Sequence, residues 1–66
     1  PLDWAMTQNN LGSVEIDYFD QTGDSAHLAT ARSHLMAARE VFKQAGATQY
    51  MASVDQNLAA VASREA

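Results

Sequence analysis

The chain has 66 residues, of which 47% are hydrophobic and 18% charged, and its net charge is −4. This length allows one domain, and a chain so short buries only about 60% of the surface that it exposes when unfolded. The lack of cysteine excludes disulfides and thiolate zinc sites. Five acids and no Lys or Arg precede residue 32, which argues against nucleic-acid binding because that function needs a basic face.

The sequence contains neither a signal peptide nor a run of the roughly 20 apolar residues that a membrane helix needs. We therefore expect no membrane association and a cytoplasmic location. The first residue is Pro1 rather than Met, which indicates a fragment of a longer protein or a processed chain.

The first predicted helix covers residues 1–19. Pro1 fits the first turn of a helix, where its missing N–H is no loss, and Asp3 favours the positive helix end. The helix is expected to end in the loop of residues 20–25, which holds a glycine and two candidate N-caps, Asp24 and Ser25. Its apolar stripe, with steps of three and four residues, consists of Trp4, Thr7, Leu11, Val14 and Tyr18.

The second predicted helix covers residues 26–45. Arg39 and Lys43 lie toward its C-terminal end, where cations favour the helix dipole, and Gly46 ends it. Its stripe, again with steps of three and four, consists of Leu28, Ala31, Leu35, Ala38 and Phe42.

The third predicted helix covers residues 48–64, with a stripe made of Met51, Val54, Leu58 and Val61. Frequent alanine favours the helix and lets backbones approach closely. Short connections place successive helices antiparallel. The predicted fold is therefore all-α, a single domain of three antiparallel helices over residues 1–66.

The first and third helices repeat one another when the sequence is shifted by 47 positions. Their stripes coincide, and the sizes and polarities of neighbouring residues match. Such a repeat is typical of a helical solenoid. The identical pairs are Ala5 and Ala52, Asn10 and Asn57, Leu11 and Leu58, and Val14 and Val61.

Residues 1–12, PLDWAMTQNNLG, strongly resemble the start of the long tetratricopeptide (TPR)-like repeats of many bacterial proteins. Asn10-Leu11-Gly12 matches the signature of the first TPR helix, and Ala31, Leu35 and Ala38 match the small–large–small pattern of the second. The resemblance implies a TPR-like helix-turn-helix followed by a third helix that repeats the first. It also implies that Gly12 and Ala59 permit close helix approach, and that Trp4 and Leu11 fill the space between paired helices.

Two positions depart from the family pattern. Glu15 and Arg39 stand where apolar residues are usual, on the same edge of the helix pair. We expect them either to pair with each other or to mark an altered interface.

The resemblance also implies a concave groove that is lined by the first helix of each repeat and holds an extended peptide. We therefore expect a non-catalytic protein–protein interaction module that binds a protein or peptide partner. The alternative is a structural or oligomerisation element, such as the end of a solenoid, with no ligand of its own. The candidate partner-binding residues are Asn9, Ser13, Ile16, Asp17 and Gln56.

About three repeats are normally needed for a stable solenoid, and this chain holds one and a half. The third helix is then expected either to leave an apolar flank exposed or to bury it against a second copy. We expect a symmetric dimer, formed through helix three or by exchange of helices. The residues assigned to packing and self-association are Trp4, Leu11, Met51, Val54, Leu58 and Val61.

The sequence offers no pattern for a catalytic or metal site, and we expect neither an enzyme nor a cofactor. His27 and His34 are two helical turns apart, roughly 10 Å, which is too far to share one metal ion. The acids Asp17, Asp20 and Asp24 lack the glycine and the closing Glu of a calcium-binding loop at the required positions.

Overall fold

The computed structural model describes all 66 residues and contains three α-helices and no strands. They are α1 (Leu2–Thr22), α2 (Ala26–Ala45) and α3 (Thr48–Glu65). The all-α prediction is confirmed. The observed α2 covers the predicted residues 26–45, whereas α1 continues three residues past position 19 because the chain turns only at the following glycine. None of the helices combines the length and the apolar character needed to cross a membrane.

Both helix connections are built around a glycine in the left-handed conformation. Gly23 has φ 72° and Gly46 has φ 69°, a region that only glycine enters without steric cost. The N–H of Gly23 donates to the carbonyl oxygen of Phe19 at 2.7 Å and closes the end of α1. At the start of α2, the N–H of Ala26 donates to Oδ1 of Asp24 at 3.0 Å, whereas the Ser25 side chain forms no cap.

The hydrophobic core is centred on α2, which lies against both other helices. Five side chains of α2 are buried, and α1 and α3 each contribute fewer. At the end near Gly46, the rings of Phe42 and Tyr50 stack with centroids 5.2 Å apart. The buried apolar residues are Ala5, Ile16, Leu28, Ala31, Leu35, Ala38, Phe42, Ala47, Val54 and Val61.

Helices α1 and α2 approach each other closely at Gly12. A Cβ atom on Gly12 would lie 2.5 Å from Cγ and Cδ2 of Leu35, so no larger residue fits without a shift. Gly12 therefore has the close-approach role that the family resemblance implies. The equivalent Ala59 does not share that role, because it is exposed on α3 and no helix covers it.

The predicted stripe of α1 is not the face that packs into the core. Trp4 is 51% exposed and Leu11 is 39% exposed, so the expectation that they fill the space between paired helices is wrong. The buried face instead carries Ala5, Gly12 and Ile16, about a third of a turn around the helix. The physical reason is that Leu35 of α2 needs small residues opposite it, and only this second face of α1 provides them.

Candidate docking face on α1

Two of the five residues predicted to line a peptide groove are engaged inside the protein. Asn9 uses its side-chain amide inside the chain: Nδ2 donates to Oγ of Ser53 at 3.1 Å, and Oδ1 accepts from Nδ2 of Asn57 at 2.9 Å. Ile16 is only 5% exposed and belongs to the core. Neither side chain is free for a ligand, so these two assignments are corrected.

The other three predicted groove residues make no contact that would exclude a ligand. Ser13 is half-buried, and Asp17 and Gln56 are exposed. The surface of the protein has no pocket.

Two histidines join α2 to α1. Nδ1 of His34 lies 2.7 Å from Oε1 of Gln8, and Nδ1 of His27 lies 2.9 Å from Oε1 of Glu15. All four side chains are half-buried. Glu15 therefore pairs with His27, and the expected alternative of a pair with Arg39 is wrong.

All three arginines form ion pairs that hold α3 to the rest of the molecule. Arg39 Nε donates to Oδ1 of Asp55 at 2.8 Å, and Arg32 pairs with Glu65. The guanidinium of Arg64 donates to both carboxylate oxygens of Asp20, at 2.7 and 2.9 Å. The two hydrogen bonds from Arg64 lower the pKa of Asp20 below its ordinary value.

The exposed apolar surface is concentrated on α1. Of the seven large apolar side chains that are exposed, six lie on α1 and the seventh is Met36 on α2. Four of the six share one face of α1 with Thr7. We call Trp4, Thr7, Leu11, Val14 and Tyr18 together the α1 stripe.

One edge of the α1 stripe is acidic. Asp3, Asn10 and Asp17 are spaced by seven residues and each directly precedes a large residue of the stripe, so they lie along its border. All three are exposed. Neither aspartate takes part in an ion pair, because the acids paired with arginine are Asp20, Asp55 and Glu65.

The matching stripe of α3 is covered by the rest of the protein, unlike the α1 stripe. Val54 and Val61 are completely buried, and Met51 and Leu58 are half-buried against the core. No large apolar side chain of α3 is exposed. The expectation that α3 leaves an apolar flank uncovered is therefore wrong, and the uncovered flank is on α1.

The remaining polar groups form no further cluster. No group of three or more His, Asp or Glu side chains lies close enough together to hold a metal ion. Comparison of the chain with protein-family models, with curated proteins and with solved structures finds no match. The α1 stripe is thus the largest group of exposed apolar side chains that the structure shows.

The apolar spacing of the α1 stripe is visible in the sequence, but it led to the prediction that these side chains pack in the core. The spacing of three and four residues in the α1 stripe shows that one face of α1 packs against something. It does not show whether the packing partner belongs to the same chain. Only the positions of Ala5 and Gly12 against α2 decide that question.

Proposed function

We propose that this protein is a non-catalytic protein–protein interaction module of TPR-like type that binds a helix of a partner along the α1 stripe. The observation that carries the proposal is the concentration of six exposed large apolar side chains on one helix. Contiguous exposed apolar surface on a small protein is typical of an interaction site. A cytoplasmic location remains the expectation from the sequence.

The spacing of the stripe favours a helical partner. Trp4, Leu11 and Tyr18 are seven residues apart, with Thr7 and Val14 between them, so the stripe follows the a and d positions of a heptad. A helix that packs lengthwise on such a seam buries its own apolar face. An extended peptide has no matching period, because its side chains alternate every two residues.

The TPR-like part of the proposal rests on internal contacts. Gln8 contacts His34 and Glu15 contacts His27. The residue numbers of α2 therefore decrease in the direction in which those of α1 increase. This order supports the antiparallel pair of a TPR-like unit. The shift of 47 residues that superposes the stripes of α1 and α3 supports a repeat.

A second candidate function is a structural element of a repeat array or an oligomer, with no ligand of its own. The observation that favours it is that α2 covers the stripe of α3 while the equivalent stripe of α1 has no cover. In an array, the second helix of a preceding repeat would occupy that place. A homodimer through α3 has less support, because α3 has no exposed apolar flank.

The proposal is tested with three synthetic helical peptides of about three heptads each that share a leucine seam and differ at the flanking positions, which are Lys, Gln or Glu. Trp4 is the only tryptophan and lies on the stripe, so its fluorescence reports binding directly. The test variant is Leu11→Gln. The matched control is Met36→Gln, which removes an exposed apolar side chain from α2.

We expect at least one peptide to shift the Trp4 emission, and we expect Leu11→Gln to weaken its binding about tenfold or more while Met36→Gln leaves it unchanged. Circular dichroism of the two variants should match the wild type, since both side chains are exposed. If no peptide binds and the protein stays monomeric at high concentration, the α1 stripe is not a docking surface.

A further inference from the structure

On the premise that the α1 stripe is a docking surface, we infer that its partner is an amphipathic helix whose apolar seam is bordered by Lys or Arg. Two observations lead to this chemistry. One is the way in which α2 covers α3, and the other is the charge around the α1 stripe.

The protein itself contains one example of a helix seated on this kind of stripe. The stripe of α3 repeats that of α1 at a shift of 47 residues, and α2 lies over it. Beside that contact, α2 presents Arg39 to Asp55 and Arg32 to Glu65. Within the fold, the stripe of α3 therefore accepts a helix with basic residues beside its apolar seam. The acids that pair with those residues belong to α3 alone, because the equivalent positions of α1 are Gln8 and Tyr18.

The charge of α1 also favours a partner helix with Lys or Arg beside its apolar seam. Helix α1 carries four acids and no Lys or Arg. Two of the acids are already paired: Asp20 with Arg64, and Glu15 with His27. The other two, Asp3 and Asp17, border the stripe, are exposed and form no ion pair, although the charge of Arg64 also acts on Asp17. A helix that lies on the stripe brings its flanking residues next to them, and opposite charges at such flanks set the choice of partner.

A second copy of the protein does not supply this chemistry. If two α1 stripes pack together, Asp3 and Asp17 meet the acids of the other α1 in either orientation, since that helix has no base. The three arginines of a folded copy are already engaged with its own carboxylates. Only Lys43, near the C-terminal end of α2, is left unpaired by these contacts.

The test compares the Lys-flanked and Glu-flanked peptides by Trp4 fluorescence, at about 20 mM and about 500 mM NaCl, which spans weak and nearly complete screening. We expect the Lys-flanked peptide to bind about tenfold more tightly at low salt and most of the difference to disappear at high salt. In the double variant Asp3→Asn, Asp17→Asn the preference should fall to about twofold. The control Glu40→Gln removes an acid on α2 without changing the stripe and should keep the full preference.

Two results would overturn the inference and leave the docking surface in place. One is stripe-dependent binding that is equal or tighter for the Glu-flanked peptide. The other is a concentration-dependent dimer in light scattering that Leu11→Gln dissociates and Met36→Gln does not, because the occupant is then a second copy. Absence of any stripe-dependent binding overturns both this inference and the proposed function.

Discussion

Gly12 and Leu35 determine how α1 lies on α2. A Cβ atom at position 12 would lie 2.5 Å from Cγ and Cδ2 of Leu35, and Leu35 has no exposed surface into which it can move. This contact selects the face of α1 that enters the core. As a consequence, the larger side chains of the α1 stripe remain outside.

Replacement of this glycine by alanine tests the contact. Gly12→Ala gains about 1 kcal/mol of helix propensity but overpacks the core, which typically costs about 1–3 kcal/mol. We expect a net loss in the free energy of unfolding, measured by urea denaturation with circular dichroism.

The Leu35→Val background serves as the control for that prediction, because the shorter side chain makes room at position 12. In this background Gly12→Ala should stabilise the protein by about 1 kcal/mol. An equal gain in both backgrounds would mean that the two residues do not press against each other.

Val14 and Val61 occupy equivalent positions of the repeat and have opposite environments. Val61 is fully buried, so Val61→Ala should cost about 1.5–2.5 kcal/mol in lost burial and cavity formation. Val14 is 44% exposed, so Val14→Ala should change stability by less than about 0.5 kcal/mol. Comparable losses in the two variants would show that the α1 stripe is packed in solution, contrary to its exposure in this structure.

The fold follows from the sequence where one face of a helix dominates. The stripe of α2 is its only apolar face, and the structure buries all of it: Leu28, Ala31, Leu35, Ala38 and Phe42. The glycine terminators also act as expected, because the positive φ that each turn needs restricts the choice of residue.

The orientation of α1 does not follow from the sequence, because α1 has two candidate faces. From the sequence, the face with the larger side chains is the one expected in the core. The structure instead buries the face with the small residues Ala5 and Gly12, and Gly12 lies against Leu35 of α2. The groove assignments fail for a related reason. Asn9 is polar and was expected to bind a partner, but it is satisfied by Ser53 and Asn57 of α3, a contact that depends on how helices are placed in space.

The ion pair between Asp20 and Arg64 predicts a specific acid dependence. The pKa of Asp20 is lowered by its hydrogen bonds to Arg64. A carboxylate with a depressed pKa in the folded state stabilises the protein above its unfolded pKa, and this contribution is lost as the pH falls through the folded pKa. We therefore expect the effect of Asp20→Asn on the melting temperature to be fully present at pH 7, to decrease below the ordinary pKa of 3.8, and to vanish only below the lowered pKa of the folded state.

A double-mutant cycle with Arg64→Gln isolates this pair from other effects of acid. The coupling between the two positions should be present at pH 7 and weaker at about pH 2, below the ordinary pKa of the carboxyl group. High salt should weaken it, because both side chains are exposed. A coupling that is the same at both pH values would contradict the assignment.

A tandem protein tests whether a preceding repeat can cover the α1 stripe. The tandem chain consists of residues 1–47 followed by residues 1–66. The Trp4 of its second copy is then at position 51 of the chain, where Met51 follows α2 in the single unit. We expect the tandem protein to be more stable than the single unit and iodide to quench only the first of its two tryptophans freely. The matched control is Trp4→Phe in the first copy, which leaves only the protected tryptophan. Free quenching of that residue would count against the array as a second candidate function.

The most direct test of the docking surface is the effect of the Lys-flanked peptide on unfolding, measured for the wild type and for Leu11→Gln. A ligand that binds only the folded protein at about 100 times its dissociation constant adds about 2.7 kcal/mol to the free energy of unfolding. We expect this gain for the wild type and little or none for Leu11→Gln, whose stability without peptide should match the wild type. Equal stabilisation of both proteins, or of neither, would contradict the assignment of the α1 stripe as the surface that binds a partner.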